Sequence, residues 1–308
     1  MSNLLMSRRN VVLGAGGTLL LPCAVPAAPR AASLPLVVLG DWGERGSPIQ
    51  RAVADAMGRS AAAIGSRLVI SVGDNFYEDG VTSIADSQWH SSFEAIYTAP
   101  SLQTRWDVIL GNHDYRGSVQ AQLDYARLSK RWTMPGRVFI RSEMLTDGTQ
   151  IDFFYIDTSP MLSMYRGTKV RIDDQNVPAQ LAWLDAVLGR SQAKWKIVVG
   201  HHPIHTSAGG KRDQAELIQH VKPLLLRHGV QLYINGHDHN LQKISRDGIC
   251  FLTCGGGGAA LGKVKEAAPG QFAAKSHGFM TMEISAGRIA YRFIDEAGTA
   301  LYADQVTA

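Results

Sequence analysis

The fold is decided by the stretch at residues 230–240, which reads Val-Gln-Leu-Tyr-Ile-Asn-Gly-His-Asp-His-Asn. Its apolar run has the length of a buried strand, and Gly236 ends it. His237 and His239 follow two positions apart, and side chains at i and i+2 of an extended segment point the same way. Imidazole is the commonest side-chain metal ligand near neutral pH. A polar loop after a strand explains the pattern equally well, so the rest of the chain decides between the two.

Four other apolar runs end in the same way, with a glycine and then polar side chains. Because glycine tolerates most backbone conformations, we expect each one to let the chain turn sharply as its strand ends. Open parallel sheets bind ligands at the carboxyl ends of their strands, so the five clusters should meet at one edge. The four further clusters read Gly40-Asp41-Trp42-Gly43, Gly73-Asp74-Asn75-Phe76-Tyr77, Gly111-Asn112-His113-Asp114-Tyr115 and Gly200-His201-His202-Pro203.

Elsewhere, apolar runs alternate with helix-like segments, which is typical of a mixed α/β domain. Residues 34–39 read as a buried strand, and residues 48–64 as a helix with Ser47 as its N-cap. No repeat or low-complexity linker divides the sequence, so we expect one domain with a mostly parallel sheet. Further strands are predicted at 67–72, 106–110, 137–141, 150–157, 195–199, 231–234, 248–253, 278–284, 288–294 and 301–305, and further helices at 87–97, 118–128, 179–188 and 214–227.

Composition limits the classes of function. The chain has 308 residues, of which 45% are hydrophobic and 19% charged, so it can bury a substantial core. A formal charge of +4 indicates no large basic surface, and nucleic acid is not expected as a partner. Cys250 and Cys254 are expected to be buried free thiols, because four residues of strand hold them too far apart for a disulfide.

Residues 1–30 have the features of an export signal. Paired Arg8 and Arg9 precede an apolar, glycine-rich run and a small-residue segment that ends at Ala28, an arrangement similar to a twin-arginine signal. A membrane anchor needs about 20 apolar residues, and here Pro22 interrupts a shorter run. We therefore predict a periplasmic or secreted protein that is not inserted in a membrane once the signal is removed.

The side chains that the five clusters deliver form a set of metal ligands. Carboxylates, a phenol, an amide and imidazoles suit iron, zinc or manganese better than calcium. No cysteine lies among them, so a zinc-finger type of site is not expected. Each residue alone has an ordinary explanation as a helix cap, a turn residue or a core side chain, but five such clusters after five strands favour a metal centre. The candidates are Asp41, Asp74, Tyr77, Asn112, His201, His237 and His239.

These clusters resemble the calcineurin-like metallophosphoesterase superfamily, and more narrowly the purple acid phosphatases of the small, tartrate-resistant type. The wider superfamily usually opens with Asp-x-His, whereas here Gly43 stands in place of that histidine. Tyr77 matches the tyrosine that purple acid phosphatases place on ferric iron. The resemblance runs from about residue 34 to near the C-terminus. It implies a four-layer αββα sandwich, the metallophosphoesterase fold, as a single catalytic domain over residues 31–308.

The resemblance also implies how two metal ions are shared among the ligands. Phenolate and carboxylate are hard anionic donors that suit Fe(III), whereas amide and imidazole suit a divalent ion such as Fe, Zn or Mn. The implied assignment is Asp41, Tyr77 and His239 for ferric iron, Asn112, His201 and His237 for the divalent ion, and Asp74 as the bridge between them.

The reaction implied by the resemblance is hydrolysis of a small phosphate monoester by attack of a metal-bound hydroxide, that is, acid phosphatase activity. His113 follows Asn112 directly and would stabilise the transition state or protonate the leaving group, and Asp114 is a candidate to orient its ring. The alternatives are a phosphodiesterase or nucleotide hydrolase of the same superfamily, and a non-catalytic or peroxidative iron-binding protein. The oligomeric state stays open.

One stretch departs from the related sequences, which commonly carry another substrate-facing histidine several residues beyond the Gly-His-x-Pro cluster. Residues 207–212, Ser-Ala-Gly-Gly-Lys-Arg, contain no histidine. His202 and His205 lie nearer the cluster and are the candidates to contact the substrate, although His202 is equally explained as a loop residue. Lys211 and Arg212 are the alternative phosphate ligands.

Overall fold

Apolar runs become strands, and the segments between them supply helices. The computed structural model describes residues 32–308. Its α-helices are α1 (Pro48–Ile64), α2 (Val119–Tyr125), α3 (Val177–Arg190), α4 (Ala215–His220) and α5 (Lys222–Arg227). Its strands are β1 (Ser33–Leu39), β2 (Leu68–Ser71), β3 (Arg105–Val108), β4 (Trp132–Thr133), β5 (Phe139–Met144), β6 (Gln150–Tyr155), β7 (Trp195–Val199), β8 (Leu232–Asn235), β9 (Leu241–Arg246), β10 (Ile249–Cys254), β11 (Phe272–Ala274), β12 (Gly278–Ser285), β13 (Arg288–Asp295) and β14 (Ala300–Thr307).

The strands form two mixed, seven-stranded sheets. The first has the order β14-β13-β12-β1-β2-β3-β4, with β1 to β4 parallel. The second has the order β11-β9-β10-β8-β7-β6-β5, with β10, β8, β7 and β6 parallel. The other pairs are antiparallel, so the expectation of one mostly parallel sheet was wrong. Strands joined by short turns, as β12 to β14 are, pair antiparallel because a parallel pair needs a long crossover.

Apolar side chains along each central strand alternate between two cores. In β1, Leu36 and Val38 lie in the core between the two sheets, whereas Val37 and Leu39 lie in the core under the helices. Met57 of α1 packs into that outer core, and residues of α3, α4 and α5 cover the second sheet in the same way. The four-layer αββα sandwich expected from the resemblance is confirmed.

Local sequence signals explain where the helices begin and break. The Ser47 side chain accepts a hydrogen bond from the Gln50 backbone N–H at 3.2 Å, which caps α1 as predicted. The single helix expected at residues 214–227 is instead divided between α4 and α5. Pro223 lies at the break and has no N–H to donate to the carbonyl one turn back. The helix expected at residues 87–97 is a π-helix at Trp89–Glu94.

An aromatic cluster lies under the strand ends of the first sheet. Trp42 and Phe76 are fully buried with ring centroids 5.7 Å apart, and the Trp42 indole donates to the Ser71 hydroxyl at 2.8 Å. Asp41 and Tyr77 are their neighbours in sequence. Packing of the two rings therefore anchors the loops that carry these polar side chains.

Two further predictions concern the export signal at the N-terminus and the state of the cysteines. The predicted export signal at residues 1–30 lies outside the described residues. Across residues 32–308, no helix combines the length and apolar character needed to span a bilayer. Cys250 and Cys254 are buried free thiols, as expected.

Candidate metal centre

The five polar clusters meet where strand ends of the two sheets face each other. Strands β1, β2 and β3 of the first sheet deliver oxygen donors, and β7 and β8 of the second sheet deliver imidazoles. The clusters converge, as the strand-end argument predicted, but at the junction between two sheets and not at the edge of a single sheet. Its residues are Asp41, Asp74, Tyr77 and Asn112 from the first sheet and His201, His237 and His239 from the second.

The Tyr77 hydroxyl is the point where these side chains come closest together. Its oxygen lies 3.1 Å from a carboxylate oxygen of Asp41, 3.1 Å from one of Asp74 and 3.1 Å from Nε2 of His239. Burial, together with the two carboxylates, raises the pKa of the Tyr77 phenol well above its usual value. A cation among these atoms would reverse that effect and favour the phenolate.

Backbone carbonyls orient two of the imidazoles. Nδ1 of His201 lies 2.8 Å from the Val72 carbonyl, and Nδ1 of His239 lies 2.8 Å from the Ala260 carbonyl. Each Nδ1 must donate to its carbonyl, which leaves Nε2 as the nitrogen with a free lone pair. Nε2 of His201 lies 3.3 Å from Asp74 but is not aligned for a hydrogen bond, so it is unpartnered among the described residues.

His237 joins the two sheets directly. Its Nδ1 lies 3.1 Å from the amide oxygen of Asn112. Its backbone N–H donates to a carboxylate oxygen of Asp41 at 2.9 Å. His237, in the loop after β8, therefore contacts candidate ligands that follow β3 and β1.

Three of the candidate ligands have a left-handed backbone conformation. The φ angle is 59° at Asp41, 50° at Asp74 and 65° at His237. Such a conformation costs a non-glycine residue roughly 1–2 kcal/mol, and strained residues cluster at functional sites. Backbone strain therefore occurs at residues whose side chains lie together at the candidate metal centre.

Two of the cluster glycines make room for carboxylates. A Cβ atom at Gly111 would lie 2.3 Å from an Asp74 carboxylate oxygen, and one at Gly236 would lie 2.4 Å from an Asp41 carboxylate oxygen. Of the five glycines that precede the clusters, Gly73 alone has a positive φ, at 92°. The expected sharp turn therefore applies to Gly73, whereas Gly111 and Gly236 are required for space.

Electrostatics at the centre favour an ionised carboxylate in a buried position. Burial alone would raise the pKa of Asp74, but the charge of His201, 3.3 Å away, and the hydrogen bond from the N–H of His113 hold that pKa well below its usual range. Burial likewise opposes protonation of His201, yet Asp74 raises the His201 pKa to about 9. A metal ion that takes the place of the His201 proton would meet a carboxylate and an imidazole already in place.

The donor atoms fit a metal ion. Atoms of Asp41, Asp74 and His201 lie within 4.8 Å of one another. Carboxylates and imidazoles without thiolates suit iron, zinc or manganese. The unpartnered Nε2 of buried His201 would cost about 1–3 kcal/mol if left unsatisfied, and a bound ion would satisfy it.

His202 is the neighbour of His201 but has a structural role. Its Nδ1 lies 2.8 Å from the Thr158 hydroxyl and its Nε2 lies 2.9 Å from the Tyr165 hydroxyl. Burial lowers the His202 pKa well below its usual value. The His202 ring also lies close to His201 and His237, but both of its nitrogens are occupied. The predicted contact of His202 with the substrate is therefore not supported by its geometry.

His205 is buried and has contacts outside the group of candidate ligands. Its Nδ1 lies 2.7 Å from Asp213 and 3.1 Å from Arg246, and its ring packs edge-on against Phe251 in the outer core. It is not among the residues that line the cavity over the centre. These contacts do not support the predicted contact of His205 with the substrate.

His113 lies at the mouth of the centre. Its backbone N–H donates to Asp74 at 2.7 Å, and its ring Nδ1 lies 2.5 Å from the Glu78 carbonyl. Its Nε2 lies 4.0 Å from Asp74, and the ring lines the cavity. The Glu78 carbonyl, and not a carboxylate, orients this ring.

Asp114 stabilises the loops instead of orienting His113. Its buried carboxylate accepts hydrogen bonds from the backbone N–H of Gly111 at 2.8 Å and of Asn75 at 3.1 Å, and from the Gln122 amide at 2.8 Å. Within the described residues it has no hydrogen bond or ion pair with the His113 ring. The role expected for Asp114 is therefore corrected, because it ties the loop after β2 to the loop after β3.

A cavity of about 430 Å³ opens over the centre. Basic side chains of Arg116, Lys211 and Lys263 line it alongside the candidate ligands. Arg116 and Lys263 were not among the site residues predicted from the sequence. Arg116 lies three residues after His113 on a short helical turn, a spacing that puts two side chains on one face. No sequence pattern marks Lys263.

Comparison with known proteins defines the class of this protein. Residues 34–241 match the family model for calcineurin-like phosphoesterases. The two-sheet fold and the strand-end cluster of ligands agree with that match.

Individual relatives narrow the class. The chain is 41% identical over 283 residues to purple acid phosphatase 3 of Arabidopsis thaliana, covering 86% of this chain and 75% of that protein. It is 32% identical over 254 residues to tartrate-resistant acid phosphatase type 5 of Homo sapiens, covering 78% and 77%. A solved structure, GAP50, described as the anchor in the inner membrane complex of Plasmodium, matches with a TM-score of 0.79 and 25% identity over 90% of this chain and 89% of that chain. The chain belongs to the purple acid phosphatases of the calcineurin-like phosphoesterase family, which confirms the resemblance.

Proposed function

We propose that this protein is a binuclear-metal acid phosphatase that hydrolyses small phosphate monoesters. Relatives named purple acid phosphatase and tartrate-resistant acid phosphatase support the reaction class. The observation that carries the proposal is the Tyr77 hydroxyl, which lies 3.1 Å from atoms of Asp41, Asp74 and His239. A buried phenol among carboxylates and an imidazole is a donor set suited to ferric iron.

The proposed ligands divide by donor hardness. When bound, the two ions would neutralise charge on the phosphate and activate water as the nucleophile. One ion would be Fe(III), and the second would be divalent Fe, Zn or Mn, since amide and imidazole donors suit all three divalent ions. The proposed assignment is Asp41, Tyr77 and His239 for Fe(III), Asn112, His201 and His237 for the divalent ion, and Asp74 for both.

His113 is the proposed residue that acts on the substrate. The Glu78 carbonyl holds its Nδ1–H at 2.5 Å, so Nε2 is the nitrogen available to the cavity. A protonated Nε2 can donate to a phosphate oxygen as negative charge develops or pass its proton to the departing alcohol. Asp114 contributes indirectly, because it fixes the loop on which His113 lies.

Metal analysis combined with visible absorption tests the ligand assignment. The purified protein is expected to contain iron and to show a tyrosinate-to-iron absorption band, which Tyr77→Phe should abolish. Tyr125→Phe is the matched control, because the Tyr125 hydroxyl bonds Glu94 away from the centre. A protein without the band, or a Tyr77→Phe variant that keeps it, would show that Tyr77 is not an iron ligand.

A panel of phosphate esters distinguishes a phosphomonoesterase from a phosphodiesterase or nucleotide hydrolase. Monoesters such as p-nitrophenyl phosphate are expected to be hydrolysed faster than the matching diesters from acid to neutral pH. Equal or faster turnover of diesters would favour a phosphodiesterase or nucleotide hydrolase of the same family.

A non-catalytic role is the second candidate function. The similar GAP50 structure is described as an anchor, so this fold also occurs in a protein with that description. The full set of ligand candidates and the unpartnered Nε2 of His201 favour a working centre. Absence of hydrolysis by protein that contains both metal ions would favour a binding or peroxidative iron protein instead.

We further propose that the protein is exported and acts in the periplasm or outside the cell. Support comes from the paired Arg8 and Arg9 before an apolar run. Replacing both arginines by lysine should leave the protein inside the cell with its N-terminal segment intact, and fractionation with N-terminal sequencing would detect this. The expected partner is a small phosphate ester and not nucleic acid.

A further inference from the structure

Lys211 lies at the edge of the cavity, on the loop between β7 and α4. Its ammonium is 2.7 Å from a carboxylate oxygen of Asp238 and 3.4 Å from the His237 carbonyl oxygen. Its side chain is 44% exposed and lines the cavity. The ammonium therefore lies between a buried carboxylate and the space that a substrate would fill.

The loop that carries Lys211 is held at its base and along its side. The Gln214 backbone N–H donates to the Ile204 carbonyl at 3.1 Å and closes the base. The Gly209 N–H donates to the Lys263 carbonyl at 2.7 Å and pairs the loop with a neighbouring segment. A fixed backbone lowers the entropy that a flexible lysine loses when it binds a ligand.

Asp238 holds the ammonium in place. Its carboxylate is fully buried, and its other oxygen accepts the Thr206 hydroxyl. Among the described residues, Lys211 is the one cation that forms an ion pair with Asp238. An ammonium has three donors, and the one hydrogen bond of Lys211, to the His237 carbonyl, leaves donors for a further acceptor while Asp238 holds the ammonium by charge.

We propose that Lys211 binds the phosphate group of the substrate while it stays paired with Asp238. This proposal rests on the phosphatase function proposed above and adds a specificity-determining residue to it. Asp238 lies between His237 and His239 in the chain, so a cation anchored on it is placed next to the proposed ligands. The charge-assisted hydrogen bond from an ammonium to a phosphate oxygen is among the stronger polar contacts in proteins.

The other basic residues nearby are less suited to this role. Arg212 is exposed and does not line the cavity. The Arg116 guanidinium already contacts the Glu78 carbonyl at 3.3 Å and the Glu78 carboxylate at 3.7 Å. Lys263 lines the cavity, but its ammonium has no hydrogen bond or ion pair with another described residue that would direct it to the centre.

Kinetics of three variants test the proposal. Lys211→Gln should raise the KM for p-nitrophenyl phosphate and the inhibition constant for inorganic phosphate about tenfold each, because one hydrogen bond to a charged group is lost. The change in kcat should be smaller, since the contact is made in the ground state as well as in the transition state. Lys211→Arg keeps the charge and should retain most of the affinity. The matched control is Lys194→Gln, which removes an exposed lysine just before β7, at the end of that strand away from the centre.

Two results would overturn the proposal. In the first, Lys211→Gln matches Lys194→Gln in both KM and phosphate inhibition. In the second, Lys211→Gln loses kcat and metal content while KM is unchanged, which would give Lys211 a structural role.

Direct binding separates this proposal from the proposed function. If the metal-loaded wild type hydrolyses no monoester, the phosphatase proposal fails, and calorimetric titration with inorganic phosphate then tests Lys211 alone. Weaker phosphate binding by Lys211→Gln than by Lys194→Gln would support the role of Lys211, and equal binding would overturn it.

Discussion

The strand ends of the two sheets contribute different chemistry to one centre. The first sheet supplies oxygen donors after β1, β2 and β3, and the second supplies imidazoles after β7 and β8. Neither sheet holds a complete ligand set. A metal pair at this edge would therefore bind the two halves of the sandwich to each other as well as carry out the reaction.

The two halves also hold their loops in different ways. On the first sheet, buried rings such as Trp42 and Phe76 anchor the residues beside Asp41 and Tyr77. On the second, polar contacts dominate, as between the Asp238 carboxylate and its hydroxyl and ammonium partners. Apolar packing, together with the Asp114 hydrogen bonds, fixes the oxygen donors, whereas polar contacts dominate around the imidazoles. Substitutions in the two halves should fail in different ways.

The largest effect is expected from Asp74, which is central to both halves. It contacts the Tyr77 hydroxyl, the His201 ring and the His113 N–H. Asp74→Ala should lower phosphatase activity by more than about 100-fold, because even outer partners of metal ligands cost 10–100-fold. Metal content should fall with it. Asp185→Ala, at an exposed carboxylate paired with His228, is the control, and equal activity and metal content in the two variants would contradict the role of Asp74.

The adjacent histidines of the second sheet should behave differently. His201→Ala is expected to lose bound metal, because it removes the unpartnered Nε2. His202→Ala should keep its metal but lose about 1–3 kcal/mol of unfolding free energy, since the Thr158 and Tyr165 hydroxyls lose their partner. Elemental analysis and urea unfolding measure both effects. Equal metal loss in the two variants would make His202 a ligand.

Removal of the metal should weaken the link between the sheets. An ion at 100 times its dissociation constant stabilises the folded state by about 2.7 kcal/mol, and each kcal/mol shifts the Tm of a domain of this size by roughly 2–4 °C. A chelator is therefore expected to lower the Tm by about 5–10 °C in differential scanning fluorimetry. Asp74→Ala should show little further shift. A wild-type Tm that is unchanged after metal loss would contradict the link.

The smallest effect concerns a carboxylate of the second sheet that is not in the ligand set. Asp157 follows β6, accepts the Tyr115 hydroxyl, and has a second oxygen without a hydrogen-bond partner in the described chain. Burial raises the Asp157 pKa to about 6. Because the folded protein holds this proton more tightly than the unfolded chain, its contribution to stability falls as pH rises from about 4 through about 6.

Asp157→Asn tests this prediction, because an amide side chain cannot titrate between about pH 4 and about pH 6 as the Asp157 carboxyl does. Relative to the variant, the wild type should lose about 1–3 kcal/mol of unfolding free energy across this window. Urea unfolding of both proteins at several pH values measures the difference, and parallel profiles would show that Asp157 does not titrate in this range.

Much of the centre could be predicted because its signals are local. Strand β7 and helix α1 have the predicted bounds, since a continuous apolar run and a capped amphipathic segment depend on nearby residues. The glycine and polar residues after each strand likewise predicted that the clusters converge, although the structure divides them between two sheets. Each ligand could therefore be predicted from the few residues around it in the sequence, although the ligands themselves lie far apart along the chain.

The errors concern features that only the folded chain decides. Strands β4 and β11 are two and three residues long, which is too short for an alternation of apolar and polar residues to predict a strand. The directions of His205 and Asp114 depend on partners such as Arg246 and Asn75, which the sequence does not mark as neighbours. Arg116 reaches the cavity through the turn that follows His113.

We infer that oxygen donors of one sheet and imidazoles of the other hold the same pair of ions. Anomalous diffraction at the iron edge, from crystals of the protein as purified, tests it most directly. We expect a peak within bonding distance of the Tyr77 hydroxyl, Asp41, Asp74 and Nε2 of His239. A peak bound by residues of one sheet alone, or no peak at this edge in protein that contains iron, would contradict the account.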